Sequence, residues 1–132
     1  MKTIKLDMGV RSYRLGEGVL RFNPGDPNVY ARFSQAVEKL QALEQDMAAK
    51  LSAPDAPVLG ILQETDKAIK DTLNWVFGPE NDFDAMLAGV NLLAATSDGG
   101  RLVQKLFAAL EPVLLAGARE CAAGKAAALK AQ

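Results

Sequence analysis

No helix and no strand can run unbroken through residues 77–91, Phe77-Gly78-Pro79-Glu80-Asn81-Asp82-Phe83-Asp84-Ala85-Met86-Leu87-Ala88-Gly89-Val90-Asn91. Gly78 accepts a left-handed cap, and Pro79 cannot continue a helix, so a preceding helix stops here. Asn81 or Asp82 can cap a short new helix, whose positive N-terminal end suits Asp84. Gly89 can stop that helix in turn, with Asn91 closing the stretch. Phe77, Phe83 and Met86 are too large and apolar to be left in water at such a corner. The stretch therefore predicts a structural junction at which the middle and last helices lock together.

On either side of it the apolar residues recur at helical spacing. Asp26 is a good N-cap and Pro27 fits the first helical position, where its missing N–H costs nothing. From there to about Leu51, Tyr30, Phe33, Val37, Leu40, Leu43, Met47 and Leu51 form one stripe. Residues 52–57, with two prolines, are a short break, and short breaks make antiparallel neighbours. A second helix runs from about Pro57 to Phe77, with Val58, Ile61, Leu62, Thr65, Ile69, Leu73 and Val76 as its stripe. Trp75 lies off the centre of that stripe. It is read as capping the core, with an exposed partner-binding role as the alternative.

The N-terminal part reads as β. Ile4 and Leu6 alternate with Lys5 and Asp7, and residues 13–22 look like a hairpin turning at Gly16-Glu17-Gly18. Leu20 and Phe22 face one way, Val19 and Arg21 the other. After the junction, 96–100 is a loop by composition. A last helix then buries Leu102, Val103, Leu106, Leu110, Val113, Leu114 and Gly117, and Pro112 in its middle predicts a bend or restart near Ala108. Leu114 and Leu115 are also candidate partner-binding residues. The prediction is one mainly α domain: a small antiparallel hairpin or three-strand layer over 3–23, antiparallel helices over 26–118, and a weakly packed tail over 119–132.

The chemistry-bearing residues are sparse. There is no histidine, which removes the commonest general base and zinc ligand, and there is one cysteine, Cys121, read as a small buried helix residue. Glu80, Asp82 and Asp84 alternate, but an EF-hand would need oxygen ligands where Ala85, Met86 and Leu87 stand. Asp66 and Asp71 read as part of a solvated charged face. No nucleophile elbow, dinucleotide fingerprint or phosphate loop occurs. Fifteen Lys and Arg are spread among 16 Asp and Glu, without the basic face a duplex binder needs. No apolar run reaches membrane-spanning length, and residues 1–7 lack a signal core. The expectation is a cytoplasmic protein without cofactor, catalytic or metal site, and with neither nucleic acid nor membrane as partner.

Two strings carry a family resemblance: Val19-Leu20-Arg21-Phe22-Asn23-Pro24-Gly25-Asp26-Pro27-Asn28-Val29-Tyr30-Ala31-Arg32-Phe33, and Val76-Phe77-Gly78-Pro79-Glu80-Asn81-Asp82-Phe83-Asp84 running on to Gly89-Val90-Asn91. They resemble a small family encoded in tail-gene clusters of siphophages and prophages of Firmicutes, whose members resemble tail assembly chaperones. The resemblance covers about residues 10 to 120. It implies a helical protein of the host bacterial cytoplasm that acts early in tail morphogenesis and is absent from the finished virion. It implies binding to the tape measure protein, with tail tube subunits as a second partner. The apolar surface left by the helices adds self-association, giving a homo-oligomer, as a further expectation. The alternative is a structural or head–tail completion subunit, which would stay in the virion, or a phage-encoded inhibitor of a host protein. Many chaperones of this kind are made in two lengths through a −1 ribosomal frameshift. Ala123-Gly124-Lys125 permits the slippery heptamer when Ala123 ends in G and Gly124 is GGA. Any other Gly124 codon in the gene would remove this slip site.

Overall fold

The structure is a computed structural model that describes residues 1–131, with side chains described through residue 124. Two strands, β1 (Arg11–Leu15) and β2 (Gly18–Phe22), precede four helices among the described residues: α1 (Pro27–Leu51), α2 (Val58–Phe77), α3 (Phe83–Met86) and α4 (Leu102–Ala131). The hairpin pairs Arg11 with Phe22, Tyr13 with Leu20 and Leu15 with Gly18. Gly16 takes the positive φ of its turn, 56°. A side chain there would meet the Met86 carbonyl oxygen at 2.6 Å, and that oxygen accepts from the Glu17 N–H at 2.9 Å. The turn is thus seated on the end of α3. Leu20 and Phe22 face the core and Val19 stands outside, half exposed.

The helix ends follow their punctuation. Asp26 caps α1, its carboxylate accepting from the Asn28 N–H at 2.9 Å, and Pro27 is the first helical residue. α1 and α2 pack antiparallel across the short 52–57 break. α2 carries no basic residue in its last turn, and α1 supplies one: Arg32 Nε donates to the Val76 carbonyl at 3.0 Å. The Thr96–Gly100 loop is closed by Thr96 N–H to Gly100 O, 2.7 Å. Hydrogen bonds from Lys105, Thr96 and the Gly100 N–H hold the Asp98 carboxyl down at about 2. α4 enters through Val103 N–H to Leu92 O at 2.8 Å.

The core runs from the hairpin through the junction to α4. Phe83, Leu73, Val76, Leu92, Val103 and Leu114 have no exposed surface. Rings touch in sequence: Tyr13 and Phe22 at 5.4 Å, Phe22 and Phe77 edge-to-face at 4.8 Å, Phe77 and Phe83 at 5.6 Å. α4 reaches the chain before α1 at Gly117, where even a Cβ would lie 1.9 Å from the Pro24 carbonyl oxygen. Only glycine lets that helix face touch backbone.

Several expectations are corrected. Residues 3–7 are not a third strand in the single chain; Ile4 and Leu6 stand exposed, because the segment leads into β1 and cannot turn back onto the free edge of that strand. The buried side of α1 centres on Val29, Phe33, Ala36 and Met47, so Tyr30 and Val37 lie turned partly to solvent. α2's Val58 is likewise half exposed. α4 continues through Pro112 without restarting. Cys121 is only partly buried. The helix persists beyond residue 119, and Arg11 ties to Glu120 at 2.9 Å; the packing of side chains from 125 onward and residue 132 lie outside the described residues. No helix among the described residues is long and apolar enough to cross a membrane.

Candidate functional site

The junction is built from buried polar groups as much as from rings. Asp82, not Asn81, is the N-cap of α3, accepting from the N–H groups of Asp84 at 3.1 Å and Ala85 at 3.4 Å. Asn81 does something the sequence does not announce. Only 2% exposed, its amide accepts from the Arg21 N–H at 2.8 Å and donates to the Arg21 and Phe77 carbonyls, each at 2.8 Å. One side chain thereby takes the place of a neighbouring strand at the outer edge of β2 and closes the end of α2. Gly78 has φ 106° and ψ 154°, an extended conformation essentially reserved for glycine rather than the expected left-handed cap. Gly89, at φ 73°, ends the turn after α3, its N–H donating to the Asp84 carbonyl at 2.9 Å. Asn91 accepts from the Leu93 N–H at 2.8 Å and donates to the Leu62 carbonyl at 3.3 Å.

Lys70 is the second unannounced group. It is 4% exposed, and its ammonium donates to Asp66 at 3.0 Å, Asp84 at 2.6 Å and the Val90 carbonyl at 2.8 Å. Asp66 in turn accepts from the Leu92 N–H at 2.7 Å. Burial disfavours the charged lysine, but the hydrogen bonds with Asp84 and Asp66 outweigh it and leave the pKa raised. Asp66 is therefore a strut between α2 and the junction rather than part of a solvated face. Asp71 does face solvent, paired with Lys67 at 3.1 Å. Asp82 caps α3 while Asp84 pairs with Lys70, and among the described residues no three potential ligands converge on a metal-sized site.

A groove opens between α1 and α2. Ala36, Ala68 and Thr72 line it with Trp75, and Gln35, Glu38, Lys39 and Asp71 are its polar part. Trp75 is 52% exposed, which corrects its reading as a core cap. The buried face of α2 is centred on Ile69, Leu73 and Val76, and position 75 is turned about 100° from its neighbour at 76. Of the other candidate partner-binding residues, Leu114 belongs to the core, fully buried in the α4 series Val103, Leu106, Leu110, Leu114. Leu115, one position round the helix, is partly exposed. The groove itself is not legible in the sequence, because alanines give no signal and its width depends on how the helices pack.

No family model, no curated protein and no solved structure matches the chain.

Proposed function

We propose that the chain is a tail assembly chaperone-like protein that acts by binding, without catalysis. It holds an amphipathic helical segment of the tape measure protein in the α1–α2 groove, with tail tube subunits as second partner. The observation that carries this reading is the half-exposed Trp75 beside small Ala36, Ala68 and Thr72. Small residues let a helix backbone approach, an aromatic anchor supplies contact area, and charges of both signs alongside orient the occupant. The family resemblance supplies the identity of that occupant.

Trp75 is the only tryptophan, so its fluorescence reports on the groove directly. Titration with helical tape-measure fragments should shift its emission to the blue as the ring leaves water. Trp75→Ala should weaken that binding about tenfold or more while leaving the melting temperature near the parent's. Fragments that bind equally well to Trp75→Ala, or do not bind the parent, would defeat the proposal.

A further inference from the structure

We propose that the N-terminal arm, residues 6–8, is a β-strand completed by a second copy of this chain, each copy adding its arm to the open edge of the other's β1. The proposal does not rest on the reading of the groove.

The two edges of the sheet differ. β1 pairs with β2 and with no other strand among the described residues. The outer edge of β2 is occupied at Arg21 by the Asn81 amide. The inward residues of the two strands record the difference: Leu20 and Phe22 of β2 are buried, whereas Tyr13 and Leu15 of β1 remain partly exposed. An uncovered edge with half-buried apolar side chains is a site for strand addition.

The arm has the complementary pattern. Ile4, Leu6 and Met8 alternate with Lys5 and Asp7, and are 90%, 75% and 63% exposed. An antiparallel register that sets Leu6 opposite Leu15 and Met8 opposite Tyr13 extends the apolar face of the sheet. The same register sets Asp7 opposite Arg14 on the outer face, a pair of opposite charge. A slip of one residue would turn the arm's apolar set outward. Within one chain the apolar positions are even-numbered in the arm and odd-numbered in β1. Gly9, at φ 68°, lies between them and takes the left-handed conformation of a bulge, which is what changes that parity.

The geometry favours addition between copies over folding back. Arg11 and Ser12 are held in the ladder opposite Phe22 and Arg21, so the chain cannot reverse through them. Asn23 Nδ2 donates to the Met8 carbonyl at 3.0 Å, and Asp7 accepts from the Gly9 N–H at 2.8 Å, fixing the arm on the β2 side of its own chain. A two-fold exchange then satisfies both arms and both edges with one self-complementary interface.

The test is a disulfide trap in a Cys121→Ser background. Leu6→Cys with Leu15→Cys should give a covalent dimer on mild oxidation, and neither single substitution should. Sedimentation of the parent should show a concentration-dependent dimer, and Leu6→Asp, at an exposed position, should weaken it about tenfold or more. A disulfide within one chain, no cross-link in a folded double variant, a strictly monomeric parent, or a dimer indifferent to Leu6→Asp would each overturn the proposal.

Discussion

Phe83→Ala should lower the unfolding free energy by about 3–5 kcal/mol, the usual cost of emptying a fully buried phenylalanine site. The ring has no exposed surface and packs tilted at 5.6 Å against Phe77, which meets Phe22 at 4.8 Å. Its own backbone is fixed as well, since the Phe83 N–H donates to the Asn74 side-chain oxygen at 3.0 Å. Phe77 of α2 packs on this ring and Phe22 of the hairpin packs on Phe77, so the cavity cannot be closed by moving one side chain. At roughly 3–5 °C per kcal/mol for a domain of this size, the melting temperature should fall by about 9–25 °C. Thermal denaturation followed by circular dichroism measures it. A melting curve that overlays the parent's would show that the junction does not organise the fold.

That junction was legible because its signals are local. Gly78, Pro79, Asp82 and Gly89 each act within a turn of their own position, as do Asp26 and Pro27 at the start of α1. What was not legible depends on partners far along the chain. Asp66, Lys67, Lys70 and Asp71 look alike as a charged run, yet Lys70 is buried because Asp84 and Val90 lie against it, 14 and 20 residues on. Asn81 looks like one more cap until Arg21, 60 residues earlier, supplies both its N–H and its carbonyl. On α1 the bulk of Tyr30 and Val37 outweighed Ala36 in the apolar stripe. In the fold the small residue is buried at the floor of the α1–α2 groove. The alternation at Ile4–Met8 is real in the sequence, but the arm cannot fold back onto the free edge of its own β1.

Lys70→Met should cost about 2–4 kcal/mol, below the top of the range for breaking a buried ion pair because Asp84 is 64% exposed. Methionine keeps the length and the packing but removes all three donors. The Val90 carbonyl then loses its partner, and the Asp66 and Asp84 carboxylates face one another without the cation that each touches within 3.0 Å. Adding Asp84→Asn to Lys70→Met should recover part of the loss by removing one of the two like charges, while Asp66 keeps its bond from the Leu92 N–H. The pH dependence separates this charge effect from a packing effect. The folded pKa of Lys70 lies above its ordinary value of 10.5. Its contribution is therefore complete below the unfolded pKa and is lost as the pH rises through the folded one. In urea unfolding, the stability gap between the parent and Lys70→Met should be constant through neutral pH and narrow above about pH 10.5. A gap that stays the same across that range would assign the loss to packing instead of to the ammonium.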